Sequence, residues 1–215
     1  MRDLSVISAG YIGGSLSDHG NYEERIRKHL PVEAKDFSIT SHYYGDIGFN
    51  FNFDGKSVGL DAALEAEVTN DVIAWLEAIC LGYHDSIFVI DAEGPLEMFR
   101  LYSSFDGPSR FTVLTSREYS FVKGNKQKSE KQEEDEGEEE IWFSWNHETE
   151  TEYEKSKETQ IVCDILVSKK EFVRQLWQAI QKALKKTPDD LYTDMNADAP
   201  IRQSSIIEEF LRNNK

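Results

Sequence analysis

Strict alternation of phenylalanine with small or polar residues constrains the fold more than any other feature of this chain. Residues 47–53 read IGFNFNF, and this period of two predicts a β-strand with one buried face. Asp54-Gly55 follows at once, a pair that is typical of a two-residue hairpin turn. We therefore predict a hairpin over residues 47–60, whose register pairs Phe53 with Lys56, Phe51 with Val58 and Phe49 with Leu60.

Two later segments have helical periodicity. Residues 69–82 begin with polar residues suited to an N-cap and end at Gly82. A second helix follows the capping box formed by Ser168 and Glu171, and it ends before Pro188. Its buried face is predicted to carry Phe172, Val173, Leu176, Trp177, Ile180, Ala183 and Leu184.

Strand-like segments account for most of the remaining apolar residues. Three of them lie between residues 86 and 122, and a buried strand is predicted over residues 159–167. Residues 141–145 are predicted to return along residues 110–122 and so close a long hairpin. Because turns rather than helices join most consecutive strands, we predict an α+β domain with a mainly antiparallel sheet, an N-terminal hairpin, helices packed on one face and a long acidic hairpin loop.

The expected domain organisation is a single α+β domain over residues 1–187, followed by a tail over residues 188–215. Residues 1–46 are hard to interpret, and residues 123–158 are expected to be an acidic, mobile insertion. The tail is predicted to hold a short helix that packs on this domain or on a second copy of the chain. Its apolar residues are Ile206, Ile207, Phe210 and Leu211.

One short helix is predicted within the N-terminal region. Tyr22, Ile26 and Leu30 are spaced four residues apart, as on one face of a helix, and Pro31 would end it. The glycine-rich stretch over residues 8–14 resembles a dinucleotide-binding turn, but it lacks the first glycine of that motif. A glycine-rich loop is therefore the preferred interpretation of this stretch.

The charge of the chain bounds the class of partner. The formal net charge is −16, and residues 130–158 hold 13 acidic residues against three lysines. Direct binding to nucleic acid is disfavoured, because a phosphate footprint requires clustered lysine and arginine. The acidic block at residues 133–140 is either a solvated, mobile loop that repulsion among its own charges keeps soluble, or a surface that attracts a basic protein.

Several features predict a cytoplasmic protein. No apolar run approaches the ~18 residues of a membrane span, and the N-terminus lacks the apolar core of a signal peptide. Cys80 and Cys163 each stand among apolar neighbours and are predicted to be buried thiols rather than a disulfide. Buried thiols suit a reducing compartment.

Known catalytic and metal-binding patterns are not met. Asn50, Asn52, Asp54 and Asp61 have the spacing of a calcium loop, but the alternating phenylalanines predict a strand there instead. The five histidines lack partners at ligand spacing. We therefore predict no catalytic residues, no metal site and no cofactor.

The candidate partner-binding residues lie in and beside the acidic block. Glu133, Glu134, Asp135 and Glu136 would attract a basic partner. On a strand, Trp142 would point to the opposite face from Ile141 and Phe143. It would then be either exposed next to the acidic block, where a tryptophan is a frequent hot spot of protein interfaces, or covered on a second buried face.

The layout as a whole resembles a known class of proteins. The stretch from Trp75-Leu-Glu77 through the turn Asp91-Ala-Glu-Gly-Pro95 to the strand and helix ending at Lys186 resembles small acidic α+β proteins of bacterial toxin–immunity loci. The resemblance covers about half of the chain and rests on layout and charge. It implies a cytosolic antidote that blocks a toxin, often a basic nuclease, by surface complementarity.

We therefore expect a non-enzymatic protein-binding domain of the immunity type, whose partner is a basic protein. One alternative is an enzyme or small-ligand binder whose polar groups converge only in three dimensions, using Asp91, Glu93, Tyr43 or Tyr44. A second alternative is a structural homo-oligomer assembled through the apolar residues of the tail helix.

Overall fold

Nine strands and three helices make up the described part of the chain. The computed structural model describes residues 2–9, 26, 28–43, 47–62, 66–91, 95–103, 107–122, 153–186 and 200–214. The strands are β1 (Arg2–Ala9), β2 (Val32–Glu33), β3 (Phe37–Tyr43), β4 (Ile47–Phe53), β5 (Lys56–Ala62), β6 (Tyr83–Asp91), β7 (Pro95–Tyr102), β8 (Ser109–Val122) and β9 (Tyr153–Val167). The helices are α1 (Ala66–Cys80), α2 (Lys169–Leu184) and α3 (Ser205–Asn213).

The larger sheet has six strands in the order β1-β6-β7-β8-β9-β2. Its centre is antiparallel from β6 to β9, since β6 pairs with β7, β7 with β8 and β8 with β9 in antiparallel register. Its two edges are parallel, because β1 pairs with β6 and β2 pairs with β9. The predicted α+β class with a mainly antiparallel sheet is thus confirmed, and N-terminal residues join the sheet at both edges.

The predicted hairpin is confirmed in its turn and in its register. β4 pairs with β5 so that Phe53 faces Lys56, Phe51 faces Val58 and Phe49 faces Leu60. Asp54 and Gly55 both have positive φ, 46° and 77°, as a two-residue turn of the type I′ class requires. β3 adds a third strand to this hairpin, so the smaller sheet has the order β3-β4-β5.

The long acidic hairpin has a different second arm from the one predicted. β8 pairs along its whole length with β9, from Ser109 opposite Val167 to Val122 opposite Tyr153. Residues 141–145, the predicted second arm, lie outside the described residues. Residues 153–158, predicted to be exposed or disordered, belong to β9. Their alternation lacks an apolar face, so a hydrophobicity pattern does not detect a strand that backbone pairing defines.

The main core lies between one face of the larger sheet, the smaller sheet and the helices. Phe172 of α2 is its centre, because four aromatic rings surround it. The centroid distances from Phe172 are 5.0 Å to Phe111, 5.7 Å to Trp75, and 6.1 Å to both Phe37 and Phe51.

Helix α2 begins as predicted. The Ser168 side chain accepts a hydrogen bond from the backbone N–H of Glu171, which satisfies one free donor of the first turn. The Glu171 carboxylate does not complete the capping box, because it accepts hydrogen bonds from Arg174 and Gln175 instead. All seven residues predicted for the buried face of this helix are buried.

Gln175 joins helix α2 to the edge of the smaller sheet. Its Oε1 accepts a hydrogen bond of 2.7 Å from the backbone N–H of Ile39, and its Nε2 donates to the carbonyl of Phe37 at 3.2 Å. The side-chain amide thus replaces a neighbouring strand for these two groups of β3. Protected edges resist pairing with other chains.

The opposite face of the larger sheet carries a smaller apolar cluster. Ile26 packs there on residues of β6, β7 and β8 and is buried, as the predicted N-terminal helix requires. Leu30, predicted to share its face, is 84% exposed. The helical conformation has already ended at this point, since the chain extends from Pro31 into β2. Helical spacing therefore no longer applies to Leu30.

The tail helix lies on its own domain. Ser204 caps it by accepting a hydrogen bond from Ile207 N, and Ile207 is fully buried. Phe210 and Leu211 are partly buried and pack against the main core, while Ile206 is half-buried. Three of the four apolar residues proposed for an oligomer contact thus pack within this chain, and assembly through these residues stays a prediction.

Two further findings concern the cysteines and the hydropathy of the helices. Cys80 and Cys163 are free, as predicted, and burial raises the pKa of each thiol to about 12, so both stay protonated at neutral pH. No helix among the described residues has the length and hydropathy needed to cross a lipid bilayer. The expected cytoplasmic location stays a prediction.

The hydroxyl of Ser86 is a local defect in the core. Ser86 is fully buried on the same side of β6 as Phe88, and within the described residues its Oγ has no hydrogen-bond partner. Replacing Ser86 with alanine removes an unsatisfied polar atom. We expect Ser86→Ala to raise the free energy of unfolding by about 1 kcal/mol in urea titrations.

Ser204→Ala is the matched control for this substitution. The Ser204 hydroxyl donates to Glu77 at 2.6 Å and caps α3, so its removal should lower the free energy of unfolding by about 1 kcal/mol. A loss of stability in Ser86→Ala similar to that of Ser204→Ala would show that the Ser86 hydroxyl is satisfied.

Candidate functional site

Two polar regions stand out in the described structure, and the first is centred on Asp164. In β9 the side chains of Cys163, Ile165 and Val167 enter the main core, so Asp164 points to the opposite face of the sheet. Asp164 pairs in register with Thr112 of β8. Its carboxylate is completely buried, with 0% of the side chain exposed.

Four hydrogen bonds satisfy the Asp164 carboxylate. Arg110 donates twice, from Nε to Oδ1 at 2.7 Å and from Nη2 to Oδ2 at 2.6 Å. Thr112 Oγ1 lies 3.3 Å from Oδ1, and His29 Nδ1 lies 2.6 Å from Oδ2. A buried carboxylate needs this full set of partners to offset the loss of its hydration.

Arg110 also holds the N-terminal region against the sheet. Its Nη2 donates to the backbone carbonyls of Ile26 at 2.8 Å and of His29 at 3.0 Å. These bonds place Ile26 over the smaller apolar cluster and His29 beside Asp164. We call this group of Asp164, Arg110, Thr112 and His29 the Asp164 cluster.

His29 has the orientation of a histidine in a catalytic dyad. Its Nδ1 faces the buried carboxylate, and 48% of its side chain is exposed. A carboxylate that supports a general base uses its negative charge to stabilise the imidazolium. The negative charge of Asp164 is already offset by the bidentate contact with Arg110. The Asp164 cluster is therefore better suited to holding Ile26 and His29 against the sheet than to proton transfer.

A second ion pair lies on the same face of the sheet. Arg100 donates to Asp85 from Nε at 2.7 Å and from Nη2 at 2.5 Å. The Arg100 guanidinium also lies over the Tyr102 ring, at 5.8 Å from its centroid. Arg100 and Asp164 are in register with Thr112 from opposite sides, so the two ion pairs flank one threonine.

The second polar region is an open cleft of about 920 Å³ at the start of helix α2. It is lined by the connection from β2 to β3 (residues 33–37), the start of β8 (residues 107–108), the end of β9 with the first turn of α2 (residues 166–171), Gln175, and Phe210 and Asn214 of α3. We call it the α2 cleft.

The α2 cleft combines apolar and charged groups. Phe37 and Phe210 are partly buried beside it and pack on the main core. Lys35, Lys169 and Lys170 also line it. Such a mixture of aromatic contact area and charge is typical of surfaces that bind protein segments.

The residues predicted to bind a partner lie elsewhere or are not described. Glu133, Glu134, Asp135, Glu136 and Trp142 fall outside the described residues. The possible enzyme residues Glu93 and Tyr44 also fall outside them, and the described lining of the cleft contains neither Asp91 nor Tyr43. Among the predicted binding residues that the structure describes, Phe210 alone lines the cleft.

Sequence reasoning missed both polar regions. Asp164 did carry a signal, since it is a single charged residue within the apolar strand IVCDILV. A charge in a buried strand requires a partner of opposite charge, although the sequence does not identify that partner. The α2 cleft carried no signal, because its lining comes from five separate parts of the chain.

Comparisons with known proteins assign no family to this chain. Neither protein-family models nor curated proteins nor solved structures gave a match to this chain.

Proposed function

We propose that this protein is a non-enzymatic protein-binding domain, and that it takes part of a partner protein into the α2 cleft. The observation that supports this function best is the lining of the cleft, where partly buried aromatic rings lie among charged side chains. Protein interfaces combine an apolar centre with a polar rim in the same way.

The hydrogen bonding of the Asp164 cluster argues against a catalytic role for its carboxylate. Its carboxylate already accepts four hydrogen bonds, two of them from the same arginine. The bidentate contact with Arg110 already offsets the negative charge with which Asp164 would have to stabilise an imidazolium at His29. We therefore assign the Asp164 cluster a structural role.

The charge of the chain supports a basic partner. A net charge of −16 creates a negative potential that accelerates encounter with a positively charged protein. The acidic block at residues 133–140 is the densest part of that charge. An inhibitor of the immunity type, acting on a basic toxin, is the specific form of this proposal.

The first test is affinity capture of the tagged full chain from its native cells across a salt series. We expect a stoichiometric basic protein that is retained at low salt and released at high salt, because screening weakens the attraction between exposed charges. Failure to retain any protein at low salt would contradict the proposal. It would favour a small-ligand binder, for which a cleft of about 920 Å³ is also large enough.

Charge reversal tests the electrostatic part of the proposal. We expect Glu133→Lys/Glu134→Lys to slow association with the captured partner by about tenfold at low salt, and to flatten the salt dependence of the rate. The measurement is association kinetics by surface plasmon resonance.

The matched control reverses two other glutamates. Glu208 and Glu209 are exposed on α3, so Glu208→Lys/Glu209→Lys makes the same change of net charge in another place. An equal effect of the two variants would show that only the net charge matters, and that the acidic block has no special role.

A further inference from the structure

The α2 cleft has an electrostatic character opposite to that of the chain as a whole. Lys35 and Lys170 are exposed at it, and Lys169 is half-buried. Its lining contains two carboxylates, Glu33 and Glu171. Lysines thus outnumber carboxylates in the described lining, whereas the chain as a whole has 40 acidic and 24 basic residues.

The cations of the cleft are only weakly compensated by the protein. Glu171 accepts hydrogen bonds from Arg174 and Gln175, so its charge is shared between Arg174 and the neighbouring Lys170. The hydrogen bond from Arg174 is also the main cause of the lowered pKa of Glu171. Glu33 is thus the one other carboxylate in the described lining that opposes three lysines.

Lys169 shows this lack of compensation most clearly. Burial lowers the pKa of its ammonium group, which means that the surroundings disfavour the charge. Its Nζ lies 5.7 Å from the centroid of the Phe210 ring, a cation–π contact rather than a contact with a carboxylate. An anionic group placed next to Lys169 would therefore gain more than at a fully hydrated lysine.

The apolar part of the cleft determines what kind of anion fits. Phe37 stacks on Phe172 at 6.1 Å and is held in place by the core, and Phe210 is held by the packing of α3. Fixed aromatic rings beside cations favour a ligand that has both acidic and apolar side chains. The open shape of the cleft suits a chain segment that enters from solvent.

We propose that the α2 cleft binds an acidic segment of the partner protein, with an apolar side chain of that segment lying against Phe37 and Phe210. This inference rests on the proposed function and specifies its partner. The net charge of −16 attracts a basic partner over a distance, whereas the lysines of the cleft repel basic segments at close range. This long-range attraction and this local repulsion together favour one orientation of the partner, and in this way charge complementarity contributes to specificity.

The test uses defined peptides and the full chain. One fluorescein-labelled peptide of about ten residues carries glutamate and aspartate around a central Phe-Leu pair, and its counterpart carries lysine at the acidic positions. Fluorescence anisotropy should show that the acidic peptide binds at least about tenfold more tightly than the basic peptide. Equal binding of the two peptides, or binding of neither, would overturn the proposal.

Variants identify the site of binding. We expect Lys169→Glu/Lys170→Glu to weaken binding of the acidic peptide by about tenfold or more. Lys182→Glu/Lys185→Glu makes the same charge change on exposed lysines at the other end of the same helix, and it should weaken binding by less than about twofold. Circular dichroism checks that both variants are folded. Equal losses in both variants would show a non-specific charge effect and overturn the assignment.

Two further results separate this inference from the proposed function. Displacement of the acidic peptide by an equal concentration of inorganic phosphate would overturn the inference, since the cleft would then recognise small anions. A captured native partner that binds Lys169→Glu/Lys170→Glu as tightly as the unaltered chain would also overturn it. In that second case the chain would remain a protein-binding domain, with its interface elsewhere.

Discussion

Substitution of Asp164 by asparagine should lower the free energy of unfolding by about 3 kcal/mol or more, as measured by urea titration. Asparagine keeps the shape and one oxygen acceptor, but it removes the charge that Arg110 and His29 face. The Arg110 side chain is 21% exposed, so its guanidinium would be left mostly buried with no carboxylate partner in the Asp164 cluster. An uncompensated buried charge is among the most destabilising changes a single substitution makes.

A double-mutant cycle separates loss of the ion pair from loss of packing. Removing both charges in Arg110→Met/Asp164→Leu should cost less than the sum of the two single changes, because neither charge is then left alone. We expect a coupling free energy of about 2 kcal/mol. A loss of less than about 1 kcal/mol in Asp164→Asn would contradict the role given to the Asp164 cluster.

Substitution of Phe172 by alanine should lower the free energy of unfolding by about 3–5 kcal/mol. Phe172 is fully buried and contacts aromatic rings from both sheets and from α1, so its removal opens a cavity where these elements meet. The cavity cannot close easily, since each neighbouring ring is held by a different element. Urea titration followed by tryptophan fluorescence provides the measurement, because Trp75 lies 5.7 Å from the Phe172 ring.

Two control variants test whether the loss arises from the cavity. Phe172→Leu retains most of the volume and should cost about 1–1.5 kcal/mol. Leu30→Ala also truncates a large apolar side chain to a methyl group, here at a residue that is 84% exposed, and it should change stability by less than about 0.5 kcal/mol. A similar loss in Phe172→Ala and Leu30→Ala would indicate that Phe172 does not hold the sheets together.

Features encoded by neighbouring residues were predictable. The hairpin was predicted in its turn and register, because the Asp54-Gly55 pair and the phenylalanine alternation act within 14 residues of each other. The start of α2 was equally accessible, since Ser168 and Glu171 are in contact within one turn. Both features depend on local hydrogen bonds and side-chain periodicity.

Pairing between distant strands was not predictable from the hydrophobicity pattern of the sequence. β1 joins β6 although more than 70 residues separate them, and its parallel pairing uses no turn that the sequence would reveal. The first part of β9 was predicted to belong to the mobile insertion for a related reason, because its residues show no apolar face. In both cases the backbone hydrogen bonds to a distant strand determine the structure.

The two polar regions show the same limit at the level of function. His29 and Asp164 are separated by 135 positions, and Arg110 and Asp164 by 54, so no motif spacing connects them. The α2 cleft joins lysines of the β2–β3 connection and of α2 with a phenylalanine of the tail helix. The net negative charge of the chain gave no indication of this lysine-lined cleft, because a net charge carries no information on where the individual charges lie.

The sequence by itself determined the α+β class, the β4–β5 hairpin, helices α1 and α2, and the strongly acidic character of the chain. These properties follow from residue type and from interactions over a few positions, where propensity and periodicity act directly. The tertiary structure alone decided the parallel edges of the sheet, the partners of Asp164 and the lining of the α2 cleft. Each of these depends on side chains that are far apart in the chain and meet only when apolar surfaces pack together, so the folded geometry decides which charges become neighbours.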